Sequence, residues 1–225
     1  MLKKILMLFK IGRKLSEKGA ISSIYEIYKP PLSIKIFFFI IGFNLKSNES
    51  NNLSPGIKLC NALQSMGTTF IKLGQFLATR PDIIGEKTAK ELVRLQDKLE
   101  PFSLSESKEI LKNELGIDTF SKIKDISEPI AAASIAQVHF AKIENFNENK
   151  EVAIKILRPN IEKIFNEELD ALMLLAYIVQ NLIRKTKRLK LLEIVQLLRE
   201  ITNIEMDLRF EAAAANEFFE NTKND

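Results

Sequence analysis

Between Ser134 and Leu157 the hydrophobic period of this chain changes from that of a helix to two. "SIAQVHFAKI" alternates by roughly two, "ENFNENK" supplies an Asn-rich turn, and "EVAIKIL" is short and β-branched. Two strands joined by a turn fit that pattern. With "KIKDISEPI" just before them, a three-strand antiparallel sheet is expected. Helical signals flank the sheet on both sides, so the expected class is α+β.

Before the sheet, "IKLCNALQSMGTTFIKLGQFLATRPDIIG" places Ile57, Leu59, Leu63, Met66, Phe70, Ile71, Leu73, Phe76 and Leu77 mostly at helical spacing. Pro81 and Gly85 break that run. "EKTAKELVRLQDKLE" predicts a helix with Ala89, Leu92, Val93, Gln96 and Leu99 on one face, stopped by Pro101. "SLSESKEILKNELG" predicts another, with Ser103 as N-cap and Gly116 as C-terminal stop. After the sheet, Asn160 is placed to cap "IEKIFNEELDALMLLAYIVQNLI". The half of it from Ala171 to Val179 is apolar nearly all round, as in a well-buried or membrane-facing helix. "LLEIVQLLREITNIEMDLRFEAAAANEFFEN" reads as one last helix running to the end. No internal repeat is present.

The chain has 225 residues, 46% hydrophobic, enough to bury a core in one large domain or two small ones. With 33 basic and 29 acidic residues its net charge is +4, too mild to argue for nucleic acid, and no nucleic-acid partner is expected. The single cysteine, Cys60, excludes an internal disulfide framework and a Cys-based zinc cluster and reads as a small buried hydrophobe. At the N-terminus, Leu2, Ile5, Leu6, Leu8, Phe9 and Ile11 alternate with lysines and an arginine. That pattern suits an amphipathic helix on an anionic membrane surface, or equally one packed on the rest of the domain. No secretory signal is evident, since Lys10, Arg13 and Lys14 interrupt the apolar run. "IKIFFFIIGF", residues 34–43, is too short to span a bilayer, which takes about 20 residues. Residues 44–56 read as a polar linker. "RKTKRLK", residues 184–190, carries five positive charges and reads as a solvated turn or a phospholipid contact.

The chemistry centres on "VAIK". A lysine in a strand beside Val152, Ala153 and Ile154 is costly to bury unless paired. In kinases that pattern sets a lysine on the phosphates and pairs it with a helix glutamate. A tight small-residue turn, "AAAS", reaches Ala133, 22 positions before Lys155, with one hairpin between. That is the separation at which a loop over phosphates and a strand lysine meet on one nucleotide.

Four motifs in order resemble the UbiB / aarF-domain family of atypical protein-kinase-like proteins, over roughly residues 55–219. They are "KLGQ" (Lys72 to Gln75, for K-x-G-Q), "AAASIAQVH" (Ala131 to His139, for the alanine-rich loop), "VAIK", and "EMDLRFEAAAANEF". The last supplies the E-x-D residues Glu205 and Asp207, with Glu211 in the place of the acid that pairs with the strand lysine. The resemblance implies a kinase-like N-lobe with a helical extension carrying K-x-G-Q. The domains are then expected at 1–50 (amphipathic segment and linker), 51–125 (the extension) and 126–225 (the lobe).

The resemblance implies that Ala131, Ala132, Ala133, Ser134, Lys155 and Glu211 hold ATP or ADP, and that Mg²⁺ is needed, with its ligands mostly outside this chain. It gives Lys72, Gln75, Glu205 and Asp207 the catalytic, pocket-gating role. Alanine restricts backbone freedom that glycine allows, so the loop is expected to wrap phosphates less closely; the resemblance implies an altered nucleotide preference with weakened productive ATP use. On an ideal helix Glu205 and Asp207 point about 200° apart, so both face one ligand only if the helix is irregular, or else they serve different partners. Spacing leaves open which carboxylate meets Lys155; the family match points to Glu211. His139, the only histidine, follows Val138 in a strand and reads as structural.

By the same resemblance the activity is nucleotide hydrolysis or small-molecule phosphorylation in support of ubiquinone biosynthesis, peripheral to the cytoplasmic face of a bacterial inner membrane. Catalytic-loop and D-F-G-type residues are not in the sequence, so the chain is expected to be an N-lobe without a C-lobe, truncated or completed by a separately encoded one. The expected partners are a nucleotide, anionic lipid and ubiquinone-biosynthesis proteins. A non-catalytic membrane-associated module, or the remnant of a split gene, is the competing expectation.

Overall fold

The computed structural model describes residues 2–21, 32, 36, 53–95, 99–144, 149–182 and 184–223. Most of the apolar stretch 34–43 and of the linker lies outside the described residues. The chain divides into two compact units: Met1–Leu95 with Glu162–Asp225, and Gln96–Ile161.

The first unit is helical. Its elements are α1 (Leu2–Glu17), α2 (Pro55–Met66), α3 (Thr68–Ala78), the short α4 (Pro81–Ile84) and α5 (Glu86–Leu92). The second unit follows with α6 (Leu104–Ser121), β1 (Ile123–Lys124), β2 (Pro129–Ala132), β3 (Ala136–Glu144) and β4 (Asn149–Leu157). The chain then returns to the first unit through α7 (Ile161–Leu182), a 3₁₀ segment (Arg184–Leu189), α8 (Leu191–Met206) and α9 (Leu208–Thr222). The class is α+β, a small antiparallel sheet among helices. The residues expected to form one lobe from 126 onward are shared between the two units.

Several local readings change. The linker ends earlier than position 56: Ser54 caps α2, its hydroxyl accepting from the Ile57 amide at 3.4 Å, and Pro55 starts the helix where no donor is needed. Gly67, at φ 99°, then separates α2 from α3. The run breaks at Pro81 and Gly85 as read: α3 ends at Ala78, Pro81 opens the short α4, and Gly85 separates it from α5. The helix of "EKTAKELVRLQ" stops at Leu92, because its last turn tightens: the Arg94 amide donates to Glu91 and the Leu95 amide to Leu92. That brings Leu95 inward and leaves Val93 72% exposed, so Val93 is not on the buried face. Gln96 lies outside the described residues. Asn160, expected as an N-cap, has φ 55°, a left-handed conformation rather than the extended one of a cap.

Helix α1 buries Leu8, Ile11, Gly12 and Leu15 along one stripe and packs on α2. Lys4 of α1 and Arg199 of α8 both pair with Asp170 of α7, at 3.0 and 2.8 Å, tying three helices together. Phe70, Ile71, Leu92, Phe165 and Leu169 are almost fully buried in this unit. Cys60 is buried too, and burial pushes its thiol up against the opposing pull of Arg94. In the 3₁₀ segment, Lys187 and Arg188 are exposed.

The sheet has four strands, not three. "KIKDISEPI" breaks at Asp125, which takes φ 50°, so β1 and β2 line one edge of β3 end to end while β4 lines the other. Ser103 caps α6 by accepting from the Glu106 amide at 3.3 Å. Gly116 leaves the helical conformation at φ 78°, the stop read from its sequence, before helix resumes to Ser121.

Candidate functional site

Strand β3 alternates cleanly. Gln137, His139 and Ala141 face inward and are buried, while Val138, Phe140 and Lys142 face the other way. In β4, Ile156 pairs with Gln137 and Ile154 with His139, whereas Lys155 pairs with Val138 and Ala153 with Phe140. On the opposite edge Ala131 pairs with Val138, after a register shift between Pro129 and Ala131. Ala131, Val138 and Lys155 therefore form one cross-strand row on one face of the sheet. That face is open, with Phe140 58% exposed and Lys155 half-buried. "VAIK" thus divides its residues: Val152, Ile154 and the following Ile156 take the covered face, and Ala153 and Lys155 take the open one.

The covered face holds a polar cluster. His139 Nδ1 lies 2.7 Å from the Ser127 carbonyl, so it carries the proton and donates. Nε2 is then the acceptor, 3.0 Å from both the Ser107 hydroxyl and the Gln137 amide nitrogen. The Gln137 side chain also pairs with the backbone of Phe102, accepting from its N–H at 3.0 Å and donating to its C=O at 3.1 Å. Ser107, Gln137 and His139 are fully buried with these partners in place, and His139 is structural.

Arg158, just past β4, holds the alanine-rich turn. Its Nε and Nη2 donate to the Ala133 carbonyl at 3.0 and 2.8 Å, and Nη1 donates to the Glu100 carbonyl at 3.0 Å. Its guanidinium stands 6.0 Å from the Phe102 ring centroid, and its own N–H donates to Ile135 at 2.8 Å. Burial pulls its pKa down. The turn itself closes through the Ala133 N–H to Ala136 at 2.8 Å. Ala132 and Ala133 are partly covered and Ser134 is buried.

In the helical unit, Lys72 and Gln75 sit one turn apart on α3. The Lys72 ammonium lies 2.9 Å from the Glu205 carboxylate at the end of α8, with Lys72 16% and Glu205 36% exposed. Gly74 between them is buried: a methyl group built there would fall on the Leu95 and Leu63 side chains. The glycine of K-x-G-Q is therefore a packing requirement at this position.

The last helix is not continuous. Asp207, at φ −87° and ψ 88°, ends α8 and starts α9. Its carboxylate accepts from the Arg209 amide at 3.1 Å and from the Arg209 guanidinium at 2.7 and 2.6 Å. Those bonds hold the Asp207 carboxyl below its ordinary range. Glu205 and Asp207 thus serve different partners, because a cap at Asp207 outcompetes helix continuation. Glu211 is exposed on α9, a helix with no buried residue. Lys155 belongs to the sheet unit and Glu211 to the helical unit.

Comparison with known proteins places this chain in a family. The profile described as "ABC1 atypical kinase-like domain" matches residues 94–225, more than half of the chain. The chain belongs to the ABC1 atypical kinase-like family. The curated proteins similar to it carry the name "Probable protein kinase UbiB". That of Marinobacter nauticus is 34% identical over 86% of this chain and 35% of its own length. Those of Histophilus somni and Cellvibrio japonicus are 38% and 37% identical, over 98% and 76% of this chain and 40% and 31% of their own lengths. The chain thus spans about two fifths or less of the relatives it matches. No solved structure matches it significantly.

Membership of the ABC1 family points to nucleotide and metal use in general. An open sheet face bearing Val138, Ala153 and Lys155 suits a flat base and a phosphate chain chemically. Two of the candidate carboxylates suit a metal less well: Glu205 is committed to Lys72 and Asp207 to Arg209. Among the described residues no group of three or more His, Cys, Asp or Glu is arranged to hold an ion. Among the described residues, too, no helix is long and apolar enough to cross a membrane.

Arg158 and Gln137 escaped the sequence reading. A glutamine between apolar neighbours at an inward strand position is a usable signal for Gln137. Arg158 gives little signal, since its partner Glu100 lies 58 positions away.

Proposed function

We propose that this chain carries nucleotide-binding elements of a UbiB-type atypical kinase or ATPase, using ATP or ADP with Mg²⁺ in support of ubiquinone biosynthesis at a membrane. The observation that carries the reading is the row of Ala131, Val138 and Lys155 across one open sheet face. In this reading Lys155 holds the α- and β-phosphates, while Val138 and Ala153 offer the base an apolar floor. The alanine-rich turn, Ala131 to Ser134, covers the phosphates more loosely than a glycine loop. On the family motif alone, Glu211 is the acid that orients Lys155. Lys72, Gln75, Glu205 and Asp207 control entry, which favours hydrolysis or a small substrate over a protein.

The test is thermal unfolding of the chain with and without nucleotide. A ligand at a hundred times its Kd adds about 2.7 kcal/mol. Stabilisation by ATP or ADP that disappears in Lys155→Ala supports the proposal; no shift at millimolar nucleotide overturns it.

A second reading, a membrane-associated binding module, is favoured by α1. Its buried stripe uses Leu8, Ile11 and Leu15, which leaves Leu2, Leu6 and Phe9 exposed on another face, with Lys3, Lys10 and Arg13 exposed around them. Exposed apolar residues ringed by cations suit an anionic bilayer surface. Sedimentation with phosphatidylglycerol vesicles but not phosphatidylcholine vesicles, lost on Leu6→Glu with Phe9→Glu, is the expected result. Equal recovery with both lipids sinks this reading.

A further inference from the structure

We infer that Arg158 is a positioning residue that sets the orientation of the Ala133–Ser134 peptide, and through it the way the alanine-rich turn meets the phosphates of a nucleotide on the Lys155 face. The inference rests on the nucleotide reading above and adds a residue that the four motifs do not contain.

The argument begins with the turn. An alanine turn lacks the left-handed freedom that lets a glycine loop settle around its ligand. Its peptide planes must be set beforehand by the protein. Arg158 does this from two directions: its side chain takes the Ala133 carbonyl with two N–H groups, and its backbone N–H takes the Ile135 carbonyl. In a trans peptide the carbonyl and the N–H point opposite ways, so a grip on the Ala133 carbonyl also directs the Ser134 N–H.

The grip is anchored. The third donor, Nη1, reaches the Glu100 carbonyl, and the guanidinium stands over the Phe102 ring, 6.0 Å from its centroid. Phe102 is itself held by the Gln137 amide from β3. The Arg158 side chain thus joins the turn to the segment before α6, and Gln137 ties that segment to β3, all within the sheet unit. A planar fork with five donors can serve two carbonyls at once and lie against a ring; a lysine ammonium at the same place is a point donor on a flexible stem. Ala131, two positions before the gripped carbonyl, shares its cross-strand row with Lys155. The turn that Arg158 holds therefore runs directly from the row that carries the lysine.

The experiment compares the full chain with Arg158→Lys, which keeps the charge, and Phe102→Leu, which removes only the ring and stands in if the lysine variant fails to fold. Hydrogen exchange of residues 131–136 is measured without nucleotide. Affinities for ATP, ADP and adenosine are then measured by titration. The expected result is exchange at the turn faster by about tenfold and ATP and ADP affinity weaker by about tenfold, with adenosine affinity unchanged, since adenosine has no phosphates for the turn to meet. Unchanged exchange overturns the inference whatever the ligands do. Faster exchange with unchanged ATP affinity, or an equal loss for adenosine, overturns the link between turn and phosphates. If the parent chain binds no nucleotide, the nucleotide reading itself falls; faster exchange in Arg158→Lys then still identifies Arg158 as the holder of the turn.

Discussion

The Lys72 ammonium stands 2.9 Å from the Glu205 carboxylate, joining α3 to α8 inside the helical unit. It links the K-x-G-Q motif to the E-x-D motif across 133 positions of sequence. Both groups are partly withdrawn from water, so each offsets part of the other's desolvation.

The pair is expected to show a measurable coupling. Lys72→Ala and Glu205→Ala should each destabilise the chain in chemical denaturation. Their double mutant should cost less than the sum, with a coupling of about 1 kcal/mol after allowance for the exposed Glu205. Strict additivity would show that the contact contributes no stability.

Gly74→Ala is expected to destabilise despite its better helix propensity. The propensity gain is about 1 kcal/mol, whereas overpacking a filled core costs about 1–3 kcal/mol. The methyl group meets Leu95 and Leu63, both buried. Adding Leu95→Ala to Gly74→Ala should therefore cost less than Leu95→Ala does alone. A midpoint raised by Gly74→Ala alone would refute the packing argument.

Asp207→Ala should loosen the start of α9 without disturbing α8. The loss of an N-cap costs about 1 kcal/mol, and α9 has no buried residue to compensate. Hydrogen exchange at Arg209 to Glu211 is the direct readout, and Asp207→Asn, which keeps a capping oxygen, should retain most of the protection.

Two carboxylates give pH dependence of opposite sign. Hydrogen bonds from Arg199 and then Lys4 hold Asp170 below its ordinary range. Its contribution is present above the unfolded pKa and is lost as pH falls through the lower folded value. Burial pushes Glu168 up, against the Thr69 hydroxyl and the Lys14 and Lys10 ammonium groups, which pull it down. Its contribution is complete below the unfolded pKa and is lost as pH rises through the folded value. Asp170→Asn should therefore cost stability at neutral pH, by no more than about 1 kcal/mol given its exposure, and cost nothing in strong acid. Glu168→Gln should gain on the parent chain as pH rises through the folded value. Denaturation midpoints measured from acid to neutral pH check both.

The hairpin around "VAIK", the start of α6 at Ser103 and its interruption at Gly116 were legible because period-two alternation, an N-cap and a helix-breaking glycine are local signals. The break of the terminal helix at Asp207 was not. Its sequence has an unbroken helical period, and only the bonds to Arg209 show that capping beats continuation there. The two-part edge made by β1 and β2 was hidden for a similar reason, since an aspartate at φ 50° looks like any polar strand residue.

Sequence by itself determined the element types, the α+β class, the family motifs and the alternation that puts Lys155 and Ala153 on one side of a strand, because each depends on residues a few positions apart. Tertiary structure alone decided that Lys72 reaches Glu205, that Arg158 grips Ala133 and Glu100, and that the helices after the sheet return to the N-terminal unit. Those contacts join segments tens of residues apart. What selects them is the packing of whole elements, a sum over many side chains that no short window of sequence contains.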